Sequence, residues 1–395
     1  MVIVNSCTVT AGADRDAGKA LRRARRESPD ALLVLAGCLP VAFPDHPALA
    51  EADLVLPGAD AEEGARRIAA ALEERRSCSG PDSLPPPHGA IFPLEEALHL
   101  SRFNLKIQEG CAGNCAYCIV PTSRGMPKSR EPAEILAELE RAVAAGFEEV
   151  VLAGTNLLTY RWNGSAGDLA DLMRLLDAKA PPCRIRVSSL EPLAGMERVV
   201  DVLSSSQRWC RHLHLSLQHA DDEVLAAMGR PYRFDAVASL VDDACRRIPA
   251  VSVGMDVIVG FPTETEAQFQ RCLTRLEVLP FAYLHVFAWS PRPGTRAAAL
   301  PQLEAGVVKE RSAVLRRLST ARRQAFSASL VGEEMGVLVE RRRDEAGRLV
   351  GLTDNYVQVA LDGPEDWMRR LVRCRLERGP GGRLTGRSAT GPLGG

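Results

Sequence analysis

The chain has 395 residues, 46% hydrophobic and 25% charged, and its formal net charge of −1 excludes a polycation that holds nucleic acid through overall charge. No run of about 18 apolar residues predicts a membrane span. Met1–Thr10 lacks the basic and apolar regions of a secretory signal, so we expect a cytoplasmic protein without a membrane partner. In that reducing compartment, the eleven cysteines favour metal ligands or buried thiols over disulfides.

The first 76 residues predict a parallel α/β domain. Short apolar runs predict strands at Val2–Val4, Ala31–Cys38 and Ala52–Gly58, with a helix between the first two. Cys7 and Cys38 each follow the apolar part of a strand, at the edge where open α/β sheets bind ligands. The sequence therefore places two thiols at one ligand-binding edge.

Residues 77–100 are predicted to be a linker, because Ser77–Pro87 is rich in proline, serine and glycine. Residues 101–330 then alternate strands and helices in six units, which suits a parallel barrel-like sheet, although an open sheet also fits. The predicted strands are Phe103–Gln108, Glu149–Ala153, Arg184–Ser188, His212–Leu217, Ser252–Val259 and Tyr283–Ala288. The predicted helices include Pro132–Ala145, Asp221–Met228, Phe234–Arg247, Glu264–Leu279 and a long closing helix from Pro301 to about Leu330.

The sequence pattern of residues 331–387 differs from that of the preceding segment. Alternating apolar residues in Gly336–Leu361 and Leu371–Arg378 predict strands of a small antiparallel β barrel. The polar, glycine-rich residues 388–395 predict a disordered tail.

Three cysteines, Cys111, Cys115 and Cys118, follow the first strand of the six-unit segment. Thiolates are soft ligands that select zinc, copper(I) or iron–sulfur clusters. A structural zinc would need a fourth ligand, and His88 and His99 lie upstream without the spacing of a zinc finger. An iron–sulfur cube is usually held by four cysteines, so three would leave one iron open to a small chelating ligand. Three buried or zinc-binding thiols remain the alternative.

The wider sequence resembles a known family. The Cys-x3-Cys-x2-Cys spacing, with Tyr117 before the third cysteine, resembles the radical S-adenosylmethionine (SAM) superfamily. The stretches "NSCTVT", "EGCAGNCAYCIVPTSRG", "RVSSLEP", "GMDVIVGFPTETEAQF" and "HVFAWSPRPGT" resemble its methylthiotransferase branch. The last β segment resembles the RNA-binding TRAM domain of that branch. This resemblance implies an α/β protein with a partial (β/α)6 radical SAM barrel, an N-terminal flavodoxin-like α/β domain and a C-terminal TRAM β barrel.

The resemblance also implies cofactors and their ligands. Cys111, Cys115 and Cys118 would hold a 4Fe–4S cluster whose open iron binds SAM, and reductive cleavage of SAM would yield a radical that removes hydrogen from the substrate. Contacts to SAM are expected at the carboxyl ends of the barrel strands. The matching residues are Gly154, Asn156, Ser188, Ser189, Glu191, Gln218, Asp256 and Gly260.

The family's N-terminal domain holds a second 4Fe–4S cluster on three cysteines, and Cys7 and Cys38 match two of them. The third would follow an earlier strand and helix, so the domain over residues 1–76 is expected to be truncated and one ligand to be missing. Either the true start lies upstream, or the second cluster is incomplete or lost.

Methylthiotransferases modify a tRNA adenosine beside the anticodon or an aspartate of a ribosomal protein. The stretches "CTVT" and "HVFAWSPRPGT" resemble the branch that acts on N6-threonylcarbamoyladenosine. We therefore expect tRNA as the partner, a reductase or flavodoxin as the electron donor, and a monomeric enzyme. Isopentenyladenosine in tRNA and ribosomal-protein aspartate remain alternatives within this class. A non-catalytic RNA-binding protein is the alternative outside it.

Overall fold

The computed structural model describes residues 1–58, 61–79, 100–162, 167–388 and 391–392. The chain divides into two compact units. The first comprises Met1–Phe92, Gly110–Met126 and Ser290–Leu300, and the second comprises Pro93–Glu109, Pro127–Trp289 and Pro301–Gly395. Most of the predicted linker, residues 80–99, lies outside the described residues.

The first unit is built on a three-stranded parallel sheet in the order β1-β2-β3. Its strands are β1 (Val2–Ser6), β2 (Leu33–Gly37) and β3 (Leu54–Pro57), and its helices are α1 (Ala11–Glu27), α2 (Leu39–Ala42), α3 (Ala61–Ser79) and α4 (Val120–Arg124). Helix α3 thus extends to the third residue of the segment predicted to be a linker.

Alternation along β2 explains why helices cover both faces of this sheet, because successive side chains of a strand point to opposite sides. Leu33 and Leu35 are buried on one face with Leu21 of α1. Val34 is buried on the other face, where Ile68 of α3 packs. The result is a helix–sheet–helix arrangement, which agrees with the parallel α/β prediction for this segment.

The second unit contains six parallel strands that follow one another in space as they do in sequence. They are β4 (Phe103–Lys106), β7 (Glu149–Ala153), β8 (Arg184–Val187), β9 (His212–Gln218), β10 (Ser252–Val259) and β11 (Tyr283–Ala288). Hydrogen bonding pairs β4-β7-β8 and β9-β10-β11, and parallel bridges join the two groups through Ile185 to Trp209 and Leu190 to Leu215. A short antiparallel pair, β5 (Gln108–Glu109) and β6 (Lys128–Ser129), follows β4.

Seven helices accompany these strands in the described part of the second unit. They are α5 (Pro132–Ala144), α6 (Leu169–Lys179), α7 (Met196–Ser205), α8 (Asp222–Ala227), α9 (Phe234–Arg247), α10 (Glu266–Val278) and α11 (Ala305–Ser329). Buried side chains from the strands and helices form one large core. Throughout the described residues, every helix is too short or too polar to cross a bilayer.

A closed β barrel completes the second unit. Its strands are β12 (Glu334–Arg343), β13 (Leu349–Thr353), β14 (Gln358–Leu361), β15 (Leu371–Arg378) and β16 (Leu384–Arg387), in the order β12-β13-β14-β16-β15. The pairings are antiparallel as predicted, except that β14 and β16 run parallel. In the predicted disordered tail, Pro392 forms a bridge to Val372, while residues 389–390 and 393–395 lie outside the described residues.

A buried charge cluster anchors this barrel to the amino ends of β7 and β8. Arg184 and Arg186 both pair with the fully buried Glu149. Arg184 also donates to the Gly336 carbonyl at 3.0 Å, and Arg186 donates to the Asp354 carbonyl at 3.0 Å. Burial raises the pKa of Glu149, but the charges of the two arginines outweigh it and lower that pKa to about 2. The carboxylate therefore holds two arginines that in turn hold the barrel.

Candidate functional site

The three predicted cluster ligands lie in one loop of the first unit. Cys111, Cys115 and Cys118 are half-buried thiols. A Cβ placed on Gly113 would lie 3.1 Å from the Cys111 sulfur and 3.8 Å from the Cys115 sulfur, so both sulfurs face the same position. The Gly113 amide donates to the Cys111 sulfur at 3.2 Å, and the Val120 amide donates to the Cys118 sulfur at 3.4 Å. Such amide–sulfur hydrogen bonds stabilise thiolate ligands of iron–sulfur clusters.

The loop depends on a glycine at its start. Gly110 has φ +77°, and a Cβ there would overlap the Met126 carbonyl, which only glycine avoids. The Cys111 amide donates to the Gly125 carbonyl at 3.0 Å and closes the loop. The loop is therefore fixed at both ends by its own backbone.

Cys7 and Cys38 follow adjacent strands of the first unit. Ser6 and Gly37 are register partners, so the two cysteines each come one residue after a paired position. Cys7 is exposed and Cys38 is buried. The Arg124 Nε, six residues after Cys118, donates to the Cys38 sulfur at 3.2 Å. This contact links the predicted second-cluster cysteine to the segment that follows the three-thiol loop.

In the second unit, two of the predicted SAM residues, Asn156 and Glu191, are joined in a polar chain. The Asn156 side chain donates to Glu191 Oε2 at 2.6 Å, and Glu191 Oε1 accepts from Arg230 at 2.8 Å. The buried Oδ1 of Asn156 has no hydrogen-bond partner among the described residues. The Asn156 backbone N–H is held by Gln108 Oε1 at 2.9 Å. Gln108 and Arg230 were not predicted, although Arg230 lies in the family-like stretch "VLAAMGRPY".

Backbone conformation marks two further predicted SAM residues. Gln218 ends β9 with φ +69°, a conformation that costs energy for any residue with a side chain. Gly260 directly follows β10 with φ +77°, and its amide donates to Glu264 Oε2 at 2.5 Å. At Gly154, a Cβ would lie 2.6 Å from a Leu157 methyl carbon, so close packing requires glycine there. These turns are built to present backbone at the carboxyl ends of the strands.

Ser188, Ser189 and Asp256 line a cavity inside the second unit rather than joining the Asn156 chain. Asp256 Oδ1 accepts from His214 Nε2 at 2.8 Å and lies 3.4 Å from His285 Nδ1. The possible ligand atoms of these three side chains lie within 4.8 Å of one another. The sequence did not predict this histidine cluster.

The residues fit the cofactors that the sequence predicts. Three thiols with amide donors are a suitable donor set for an iron–sulfur cluster. The orphaned Asn156 Oδ1 and the Glu191 carboxylate are acceptors suited to the amino or ribose groups of SAM.

Comparison with known proteins identifies the class of this chain. A sequence profile described as the Radical SAM superfamily matches residues 105–276. A solved structure of TsrM, a radical SAM methyltransferase from Kitasatospora setae, superposes with a TM-score of 0.56 at 17% identity, covering 89% of this chain and 73% of that one. These matches and the fold define a radical SAM enzyme, a class whose cofactors are a 4Fe–4S cluster and SAM.

Relatives identify the branch. The threonylcarbamoyladenosine tRNA methylthiotransferase MtaB of Bacillus subtilis is 32% identical over 95% of this chain and 84% of its own length. The protein of that name from Aquifex aeolicus is 33% identical, covering 95% of this chain and 90% of its own. The tRNA-2-methylthio-N(6)-dimethylallyladenosine synthase of Moorella thermoacetica is 32% identical over 96% and 87%. The chain belongs to the radical SAM methylthiotransferase family.

Proposed function

We propose that this enzyme replaces the hydrogen on C2 of N6-threonylcarbamoyladenosine, 3′-adjacent to the anticodon of tRNA, with a methylthio group. The observation that carries the proposal is the similarity, over nearly the whole chain, to relatives named for that reaction. The three-thiol loop supplies the ligands that the reaction needs. A tRNA substrate implies that the enzyme works in the cytoplasm.

The residues divide the work. Cys111, Cys115 and Cys118 hold the cluster, which when bound supplies the electron that cleaves SAM to a hydrogen-abstracting radical. Asn156 and Glu191 orient SAM through hydrogen bonds, and Arg230 holds the Glu191 carboxylate in place. Gly154 and Gly260 bring backbone close to the bound cofactor at the strand ends, and Gln218 contributes its side-chain amide.

A second 4Fe–4S cluster is part of the proposal. Cys7 and Cys38 are two of its ligands, in an N-terminal domain that we propose to be flavodoxin-like, and Arg124 brings a positive charge to the Cys38 sulfur. The C-terminal β barrel is proposed to act as a TRAM domain that binds tRNA. A reductase or flavodoxin supplies electrons, and the enzyme acts as a monomer.

The test is mass spectrometry of tRNA nucleosides from a deletion strain with and without the restored gene. We expect 2-methylthio-N6-threonylcarbamoyladenosine to disappear in the deletion strain and to return with the wild-type gene. Purified enzyme should release methionine, 5′-deoxyadenosine and S-adenosylhomocysteine. Methylated product without inserted sulfur would contradict methylthiolation.

The dimethylallyl nucleoside is the second candidate substrate, because relatives named for it are of similar identity. The same nucleoside analysis separates the two, since each predicts loss of a different methylthio nucleoside. Peptide analysis of ribosomal proteins from the deletion strain tests the aspartate alternative.

A further inference from the structure

A cavity of about 740 Å³ lies inside the second unit, between the six-stranded sheet and the β barrel. All six strands contribute side chains to its wall, so the sheet curves around it. The lining side chains include Asn104 of β4, Val151 of β7, Arg186 of β8, His214 of β9, Asp256 of β10 and His285 of β11. Tyr356 enters the cavity from the β barrel with φ +66° and stacks on His212 at 4.6 Å between ring centres. A space of this size accommodates a modified nucleobase.

A hydrogen-bond chain crosses one wall of the cavity. Tyr283 Oη lies 2.9 Å from His212 Nε2 and 3.0 Å from His214 Nδ1. The Tyr283 ring reaches both histidines because Gly254 has no side chain, and a Cβ there would overlap the ring. Burial, helped by the charge of Arg186, lowers the pKa of His212 well below its usual value, so this imidazole is neutral.

The hydrogen bonds show which atoms are left for a ligand. The His214 Nε2–H donates to Asp256 Oδ1, since a carboxylate oxygen accepts. The buried His212 Nδ1 has no hydrogen-bond partner among the described residues. Both histidine contacts of Asp256 go to Oδ1, which leaves Oδ2 as a second acceptor. This wall therefore offers the Asp256 Oδ2 acceptor to a ligand that carries N–H or O–H groups.

A second part of the cavity lining is positively charged. Arg102, Arg341 and Arg342 line it together with one carboxylate, Glu340. Glu340 is shared, because Oε1 lies 3.2 Å from Arg102 Nη2 and Oε2 lies 2.7 Å from Arg342 Nε. Two guanidinium groups, those of Arg102 and Arg342, thus share one carboxylate, which leaves an excess of positive charge. A carboxylate on a ligand is the complementary group, because guanidinium–carboxylate hydrogen bonds are charge-assisted.

We propose that this cavity is the subsite that recognises the N6 substituent of the target adenosine, and that it selects a carboxylate-bearing threonylcarbamoyl group. The inference rests on the proposed function and names the residues that set its specificity. Arg102 and Arg342 bind the substituent's carboxylate. Asp256 Oδ2 accepts a ureido N–H or hydroxyl of the same substituent, which assigns Asp256 to the substrate rather than to SAM.

The same lining rejects a dimethylallyl group. That hydrocarbon offers no partner to Asp256 or to the arginines, so its entry would remove their water without replacing the hydrogen bonds. Sites built to hydrogen-bond a substrate discriminate strongly against analogues that lack the bonding groups. The relatives' names divide between these two substituents, and the lining of this cavity complements the polar one.

The test measures equilibrium binding of anticodon stem-loop RNAs to the full-length enzyme, reconstituted without oxygen. Three RNAs of one sequence carry threonylcarbamoyladenosine, its methyl ester or dimethylallyladenosine. We expect the wild-type enzyme to bind the acid about tenfold more tightly than the ester, the value of one charge-assisted hydrogen bond. The dimethylallyl RNA should bind more weakly than either.

Two variants separate the contacts. Arg102→Gln should remove most of the acid-over-ester preference and leave the affinity for the ester nearly unchanged. Asp256→Asn should weaken the acid and the ester alike, because both keep the N–H and O–H groups. Arg174→Gln is the matched control, since Arg174 is an exposed arginine on α6 that pairs with Asp171 and does not line the cavity.

Equal wild-type affinity for the acid and the ester would overturn the subsite, whatever nucleoside the cells contain. Preference for the dimethylallyl RNA would overturn both the subsite and the proposed function. Acid-over-ester preference that Arg102→Gln abolishes supports the subsite, even where nucleoside analysis rejects methylthiolation. A different result would identify His214, Asp256 and His285 as a metal centre and overturn the proposal. That result is tight zinc binding that Asp256→Asn abolishes, with RNA selectivity unchanged.

Discussion

At the scale of single residues, the three-thiol loop makes the most direct prediction. Cys118→Ser removes one sulfur that accepts an amide hydrogen bond, and a cluster left with two thiolates is expected to be lost from this site. Anaerobically reconstituted variant should show reduced iron and sulfide content and weaker charge-transfer absorption than the wild type. Cys245→Ser on α9, a thiol outside the loop, is the control and should retain the full content.

Gln218 offers a second test, because its positive φ places strain at a predicted SAM residue. Gln218→Gly should relieve the strain and leave the free energy of unfolding unchanged or raise it by up to about 1 kcal/mol. Gln218→Ala keeps the strain. Both variants lose the amide and should bind SAM more weakly, as titration of the reconstituted enzyme would detect. Unchanged SAM affinity in both variants would remove Gln218 from the cofactor site.

Local spacing explains which residues the sequence could predict. The three cysteines lie within one loop, so their spacing alone indicated a shared site. The histidine cluster was missed because strand pairing brings its members together. Asp256 and His285 are register partners on β10 and β11, and the sequence of either strand alone does not indicate its partner. The alternation of His212 and His214 on β9 was the available signal.

Two stretches that indicated the tRNA branch contact each other in the first unit. Arg292, from "HVFAWSPRPGT", donates to Thr8 Oγ1 at 2.8 Å and pairs with Asp14 at 2.6 Å. Thr8, from "CTVT", donates to Asp14 Oδ1 at 2.6 Å. These residues therefore have a structural role in holding the segments together, which a motif comparison alone does not reveal.

At the scale of elements, the strands of the second unit were predicted well because each is a short segment in which apolar residues recur between helical stretches. The first predicted strand, Phe103–Gln108, ends earlier: β4 stops at Lys106 and Gln108 belongs to the antiparallel β5–β6 pair. That pair joins residues 21 and 19 positions apart in the sequence, which periodicity does not detect. The parallel β14–β16 pairing in the barrel was missed for the same reason.

The element-scale prediction concerns the charge cluster under the β barrel. Glu149→Gln leaves Arg184 and Arg186 buried without their counter-charge, which should cost about 3–5 kcal/mol of unfolding free energy. Denaturant unfolding monitored by circular dichroism measures this loss. Glu148→Gln, at a neighbouring carboxylate that pairs with the more exposed Arg370, is the control and should cost much less.

The same carboxyl predicts a pH dependence. Because the pKa of Glu149 falls from 4.5 to about 2 on folding, its contribution to stability is complete above about pH 4.5. That contribution should be lost progressively as the pH falls toward 2. Glu149→Gln should lack this part of the acid sensitivity, and an identical acid-unfolding slope in both proteins would contradict the assignment.

At the scale of the whole molecule, iron content tests whether the second cluster is present. If Cys7 and Cys38 hold it, reconstituted wild-type enzyme should bind the iron of two clusters, and Cys7→Ser/Cys38→Ser should bind the iron of one. Iron and sulfide analysis, with Mössbauer or electron paramagnetic resonance spectroscopy, makes the measurement. Equal iron in both proteins would contradict a second cluster on these residues.

The division of the chain also affects how its parts could be exchanged between relatives. The first compact unit is not one stretch of sequence, since it takes in Gly110–Met126 and Ser290–Leu300 besides the N-terminal segment. A chimaera joined near residue 92 would therefore pair one parent's Cys38 with the other parent's Arg124, and one parent's Thr8 with the other's Arg292. We expect functional hybrids to arise where all three segments are inherited together.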